Sequence, residues 1–239
     1  MRLGFMESSR GVPSPLKVHG TGWGIVLLLL IALRAQAAYN DDVGYTALRA
    51  ELGSTTPDGS GVPVGQIEAS VQVGADQAWL PQSSGAEFSG KVITDMSGAV
   101  PGVFSGHATS VASLFFGNTV STSPGIVSIA AYNANHWLGG GFLRTYAGSG
   151  VKYQPLASAS RVSNHSWVGG AGAYDKDILS RLDWAIDRDE MVQVVGFTGN
   201  PTTPLLSSAY NVIAVNRTDS AATVGAANAN PPYTAGRTK

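Results

Sequence analysis

Apolar residues fall along the chain in short runs separated by stretches rich in Gly, Ser, Pro and Asn, and the runs are of two kinds. Some are apolar nearly throughout. Residues 62–69, 125–132, 159–169, 191–196 and 210–215 are predicted as strands of a sheet covered on both faces. Other runs have helical spacing. Residues 177–188 place Ile178, Leu182 and Ile186 on one face and Asp177 and Arg181 at i,i+4, with the remaining acids reading as a solvated face. Residues 45–53 carry Leu48 and Leu52 at helical spacing before a glycine stop. A short apolar helix is predicted through residues 107–114, capped by Ser105 or Gly106 and ended by Gly117 and Asn118. A further helix with Trp137 and Leu138 is placed between the second and third strands. Residues 70–104 show few periodic signals and are predicted to be mostly loop. Strands alternating with helices give an α/β domain with a buried, mainly parallel sheet, and no internal repeat is found.

Composition narrows the function classes. With 239 residues and a net charge of −1, the chain can bury one good core and offers no electrostatic reason to bind nucleic acid or an anionic membrane. It has no cysteine, which excludes disulfides, a thiol nucleophile and a cysteine-based zinc site. At the N-terminus, Arg2, Arg10 and Lys17 precede an apolar run from Trp23 to Leu33, and Ala35-Gln36-Ala37 follows as a cleavage pattern. The run falls short of the roughly 20 residues that span a bilayer. Residues 1–37 are therefore expected to be a signal peptide, 38–59 an N-terminal segment and 60–239 the main domain. The mature chain is expected to be secreted or held in the cell envelope, without membrane attachment after cleavage.

The chemistry centres on Ser105-Gly106-His107-Ala108-Thr109-Ser110-Val111-Ala112-Ser113-Leu114. His107 falls in the first turn of its helix, where the positive end of the dipole disfavours the imidazolium, and a neutral imidazole can accept a proton. The alternative is a surface histidine near a cap. Glu68 closes the predicted strand Gln66-Ile67-Glu68-Ala69; it reads either as a positioned carboxylate or as a strand-end residue facing solvent.

The segment around His107 resembles the histidine motif of the subtilases, the subtilisin-like serine peptidases, His-Gly-Thr-His-Val-Ala-Gly. His107, Thr109, Val111 and Ala112 match it; Ala108, Ser110 and Ser113 depart. From about residue 60 onward other segments follow in the family's order. The strand ending at Glu68 stands where the family has its catalytic aspartate, about 40 residues before His107, against about 30 in subtilisin. Ser163-Asn164-His165-Ser166-Trp167-Val168-Gly169 resembles the strand that pairs with extended substrate, Gly199-Asn200 the turn with the oxyanion-hole asparagine, and Ala209-Tyr210-Asn211-Val212-Ile213-Ala214-Val215 a later family strand, with Asn216 where glycine is usual. Gly236-Arg237-Thr238-Lys239 resembles the run before the nucleophile segment.

The resemblance implies a subtilisin-like three-layer α/β fold. In it His107 is the general base, Glu68 the acid that orients it and Asn200 the oxyanion donor, while Ser166, Trp167 and Gly169 contact a peptide or protein substrate in extended conformation. A plain turn asparagine is the alternative for Asn200, and ordinary core for Trp167. The nucleophilic serine is expected about 157 residues after His107, past Lys239, and no Gly-Thr-Ser-x-Ala-like segment occurs. The domain is therefore expected to be incomplete at its C-terminus and inactive as it stands. No cofactor and no metal is implied.

Other motifs carry less. Gly85-Ala86-Glu87-Phe88-Ser89-Gly90-Lys91 fits most of a P-loop, but Val92 replaces the magnesium-binding hydroxyl and no apolar strand precedes it. His136 and His165 lack zinc spacing, Asp175 and Asp177 lack a dense calcium loop, and no G-x-S-x-G elbow exists. The leading reading is a secreted subtilisin-like endopeptidase. The alternatives are a non-catalytic, exported subtilase-like binding module and a structural surface protein that imitates the family.

Overall fold

The computed structural model describes residues 40–41, 43–145, 153–196 and 205–215. The expected signal segment 1–37, Asn200, Asn216 and residues 236–239 lie outside them. Every element below belongs to the compact unit Tyr45–Lys239.

The unit opens with helix α1 (Tyr45–Leu52), where the leucine spacing places it, although Leu48 and Leu52 are exposed and Tyr45 is the residue it buries. Strand β1 (Val64–Glu68) follows, then a short antiparallel hairpin of β2 (Val71–Val73) and β3 (Asp76–Ala78) and a strand β4 (Val92–Asp95). Helix α2 (Gly106–Phe116) leads to β5 (Ser128–Asn133), and the short helix α3 (Ala134–Leu138) starts directly from that strand. After β6 (Val162–His165) come helix α4 (Asp175–Asp189), β7 (Val192–Gly196) and β8 (Val212–Val215). Six of these strands form one parallel sheet in the order β4-β5-β1-β6-β7-β8.

Residues 70–104 are mostly loop, as expected, but hold three short strands, and β4 is an edge of the main sheet whose apolar signal is confined to Val92 and Ile93. One expectation needs correction. The strand expected over 159–169 is only β6, so Ser166, Trp167 and Gly169 lie beyond its end. Just past its end the Ser166 carbonyl is turned toward the His107 ring.

The period of two along β1 sorts the layers. Val64, Gln66 and Glu68 face α2, where Val64 and Ile129 pack with Phe88, Ala112, Phe116 and Ile126. Gly65 and Ile67 face the other side, where Trp137 and Leu138 of α3 and Ile178, Leu182, Ala185 and Ile186 of α4 close over Ile67, Val195 and Val212. A Cβ at Gly65 would stand 2.7 Å from Ser163 Oγ, so a side chain there would have to displace the Ser163 hydroxyl. Each fully buried leucine or isoleucine in these layers contributes about 1.5–3 kcal/mol. The result is a three-layer α/β unit with a mainly parallel sheet.

Polar groups fix α4. Arg181 bonds Asp177 at 3.0 Å and also donates to the Leu143 and Tyr153 carbonyls. Asp183 accepts the backbone N–H groups of Tyr210 and Asn211, tying the helix to the entrance of β8. The acids of this face are thus partly structural and not merely solvated.

Candidate functional site

The strand order places the site before any side chain is considered. From β1 the chain adds β4 and β5 on one side, then crosses to lay β6, β7 and β8 on the other. In open α/β sheets the carboxyl ends of the strands at such a crossover border the crevice where ligands bind. Glu68 is the last residue of β1 and Ser166 the first after β6.

His107 joins them from α2. Ser105 caps that helix, its hydroxyl accepting the Ala108 N–H at 3.1 Å, so the capping expected at this helix start is seen in full. His107 Nε2 lies 3.3 Å from Glu68 Oε2 and 3.1 Å from the Ser166 carbonyl oxygen. The histidine side chain is 53% exposed and the carboxylate 1%. A carbonyl oxygen can only accept, so Nε2 carries the proton of the neutral ring and Nδ1 holds the lone pair. This reverses the usual triad, where the acid holds Nδ1 and Nε2 is the base.

The carboxylate is held by Gln66, which the sequence reading did not single out. Gln66 Nε2 donates to Glu68 Oε1 at 3.0 Å and to the Ala108 carbonyl at 2.9 Å. The signal was a polar residue in the middle of a strand expected to be buried on both faces. Burial pushes the Glu68 carboxyl up to about 7, opposed by the Gln66 hydrogen bond and by His107.

The remaining candidates divide. Ser166 is brought to the pair, but its carbonyl is taken by His107 and its hydroxyl accepts from Asn164 Nδ2 at 2.9 Å. Trp167 lies against the core, and its ring centroid is 6.0 Å from that of the buried His165. Gly169 lies over the Trp167 ring, 3.3 Å from where a Cβ would stand, and its carbonyl accepts the Leu205 N–H. Among the described residues no hydroxyl hydrogen-bonds to the His107 ring.

Two other groups are accounted for structurally. Lys91 donates to the Pro124 and Ile126 carbonyls at the amino end of β4, the opposite edge of the parallel sheet from Glu68. It cannot reach a phosphate without abandoning both. At the carboxyl ends of β4 and β5, Ser97 Oγ stands 2.7 Å from His136 Nδ1 and accepts the Asn133 N–H, while the Asp95 carboxylate is spent on three backbone N–H groups of its own turn. That cluster clamps the turn after β4.

The chain matches no protein-family model and no curated protein. Among solved structures it is similar to the prenylagaramide maturation protease PagA, with a TM-score of 0.43 and 16% sequence identity over 72% of this chain and 57% of that one. The chain thus spans a little over half the length of that protein.

Proposed function

We propose that this chain is the base-and-acid part of a secreted subtilisin-like serine endopeptidase. The observation that carries the reading is the Glu68–His107 contact: a buried carboxylate at the end of the strand where the sheet crosses over, 3.3 Å from an imidazole in the first turn of a capped helix. In this reading Glu68 stabilises the protonated ring, and Nδ1 takes the proton of a serine supplied by a downstream segment, with Asn200 donating to the oxyanion. Trp167 and Gly169 would line the path of an extended peptide. Glutamate in place of the family's aspartate is accommodated by its burial beside Gln66.

The second reading, an exported binding module, draws on one observation. His107 Nε2 is already hydrogen-bonded to the Ser166 carbonyl and stands 3.3 Å from Glu68 Oε2. An imidazole so engaged can serve as a structural clamp.

The experiment compares two proteins. The 239-residue chain is expected to remain unlabelled by a serine-directed fluorophosphonate, and a protein extended through the downstream reading frame to be labelled and to hydrolyse peptides. An extended protein that is neither labelled nor active selects the binding module. Labelling of the short chain at Ser166 or Ser208 would overturn the placement of the site. Export is tested separately by N-terminal sequencing of secreted protein, with Ala38 expected first.

A further inference from the structure

Gln66 occupies an unusual place for an uncharged polar side chain. It is 1% exposed, sits in the middle of a strand buried on both faces, and shares the α2 face of β1 with Glu68 two residues on. A buried amide costs free energy unless its groups are paired; here the NH2 end is paired twice, while Oε1 is buried with no hydrogen-bond partner among the described residues. Both of its N–H donors face acceptors, Glu68 Oε1 at 3.0 Å and the Ala108 carbonyl at 2.9 Å, and of the two ends of the amide only the NH2 can face acceptors. Its orientation is therefore fixed by the network.

The two bonds close a circuit. The Ala108 N–H is held by the Ser105 cap; the Ala108 carbonyl is held by Gln66; Gln66 holds Glu68; and Glu68 faces the ring of His107, the residue just before Ala108. The backbone that carries the imidazole is thus tied, through one amide, to the carboxylate that the imidazole faces. A carboxylate lacking that tie could rotate within its pocket, because among the described residues Oε2 has no hydrogen-bond partner of its own.

We propose that Gln66 is a positioning residue for the Glu68–His107 pair, its amide fixing the carboxylate against the ring and favouring its ionised form by donating to it. This rests on the reading of Glu68 and His107 as an acid–base pair. A methionine of similar length at position 66 would fill the space but donate to neither acceptor. Asparagine would keep the amide on a side chain one methylene shorter, unable to span both.

The test is a pH titration of the uniformly 13C,15N-labelled 239-residue chain, following the Glu68 carboxyl carbon, the Gln66 side-chain amide and the His107 ring nitrogens. The expected result is a Gln66 amide resonance that moves with the Glu68 midpoint. In Gln66→Met that midpoint should rise by about one pH unit, with the His107 ring signals changed and the far-UV circular dichroism retained. A Gln66 amide indifferent to the Glu68 titration would overturn the proposal, as would a folded Gln66→Met chain with both titrations unchanged. If Gln66→Met does not fold, the unmutated chain decides alone. None of these signals requires peptide hydrolysis, so an inactive extended protein would remove the peptidase reading without touching this one.

Discussion

His165 Nε2 lies 2.7 Å from Gln193 Oε1 on the neighbouring strand, and both side chains are closed to solvent. The pair faces α3 and α4, on the opposite side of the sheet from Glu68, with Trp137 edge-on to the imidazole at 4.8 Å between ring centroids. Burial holds the imidazole down to about 4, with the Gln193 hydrogen bond pulling the other way.

That depression makes His165 an acid-sensitive point. The imidazole titrates near 6.5 when unfolded and near 4 when folded, so between those values the unfolded chain binds the extra proton. Stability present above pH 6.5 is lost as the pH falls through this window, by about 3 kcal/mol once below it. Urea unfolding of the wild type and His165→Gln at pH 7 and pH 4 checks this: the variant should lose the part of the acid dependence that His165 supplies. Equal losses in both proteins would show that the imidazole is not the sensor.

Glu68 acts in the opposite sense. Its carboxyl titrates near 4.5 when unfolded and near 7 when folded, so in this interval the native chain holds the extra proton. Its contribution is fully present below pH 4.5 and is lost as the pH rises through 7. Between pH 4.5 and 6.5 the two groups offset one another, and the wild-type stability curve should be nearly flat there. Glu68→Gln should expose a rising curve and His165→Gln a falling one, both read from urea midpoints.

The end of α4 offers a stabilising change. Glu190 closes the helix with φ of 50°, a left-handed conformation that costs a residue with a Cβ about 1–2 kcal/mol. Its ion pair with Arg161 spans 4.0 Å between exposed side chains and contributes little. Glu190→Gly should raise stability by about 1 kcal/mol, measured as an upward shift of Tm. A lower Tm would mean that the Arg161 pair outweighs the backbone strain.

At the start of α2, Ser105→Ala should cost about 1 kcal/mol by removing the cap on the Ala108 N–H. Because Ala108 is also where Gln66 grips the helix, the His107 ring resonances should shift as well. Guanidinium unfolding and the ring signals together distinguish this from a purely global loss, which would leave the native ring spectrum unchanged.

Glu68 and His107 each carried a local signal, a carboxylate at the end of an apolar strand and a histidine behind a capping serine, but that the two stand together was implied only by the subtilase resemblance. The six-stranded parallel sheet was legible in five of its strands through their apolar runs. β4 was not, since an edge strand with exposed side chains has no such run. Gln66 was passed over because its role depends on a carbonyl 42 residues away in α2, which no local pattern announces. The reversal of the imidazole nitrogens was equally invisible, being set by where the backbone goes after His165.

The crossover at β1 has a kinetic consequence. Ser166 reaches His107 from 59 residues further along the chain, and Glu68 meets that loop only when β6 pairs with β1. Contacts of such separation form slowly, because a large loop must close before any of them rewards it. The His107 ring is therefore not fixed in place until the centre of the sheet has zipped. The Glu68–His107 geometry and the closed centre of the sheet thus arise in the same step.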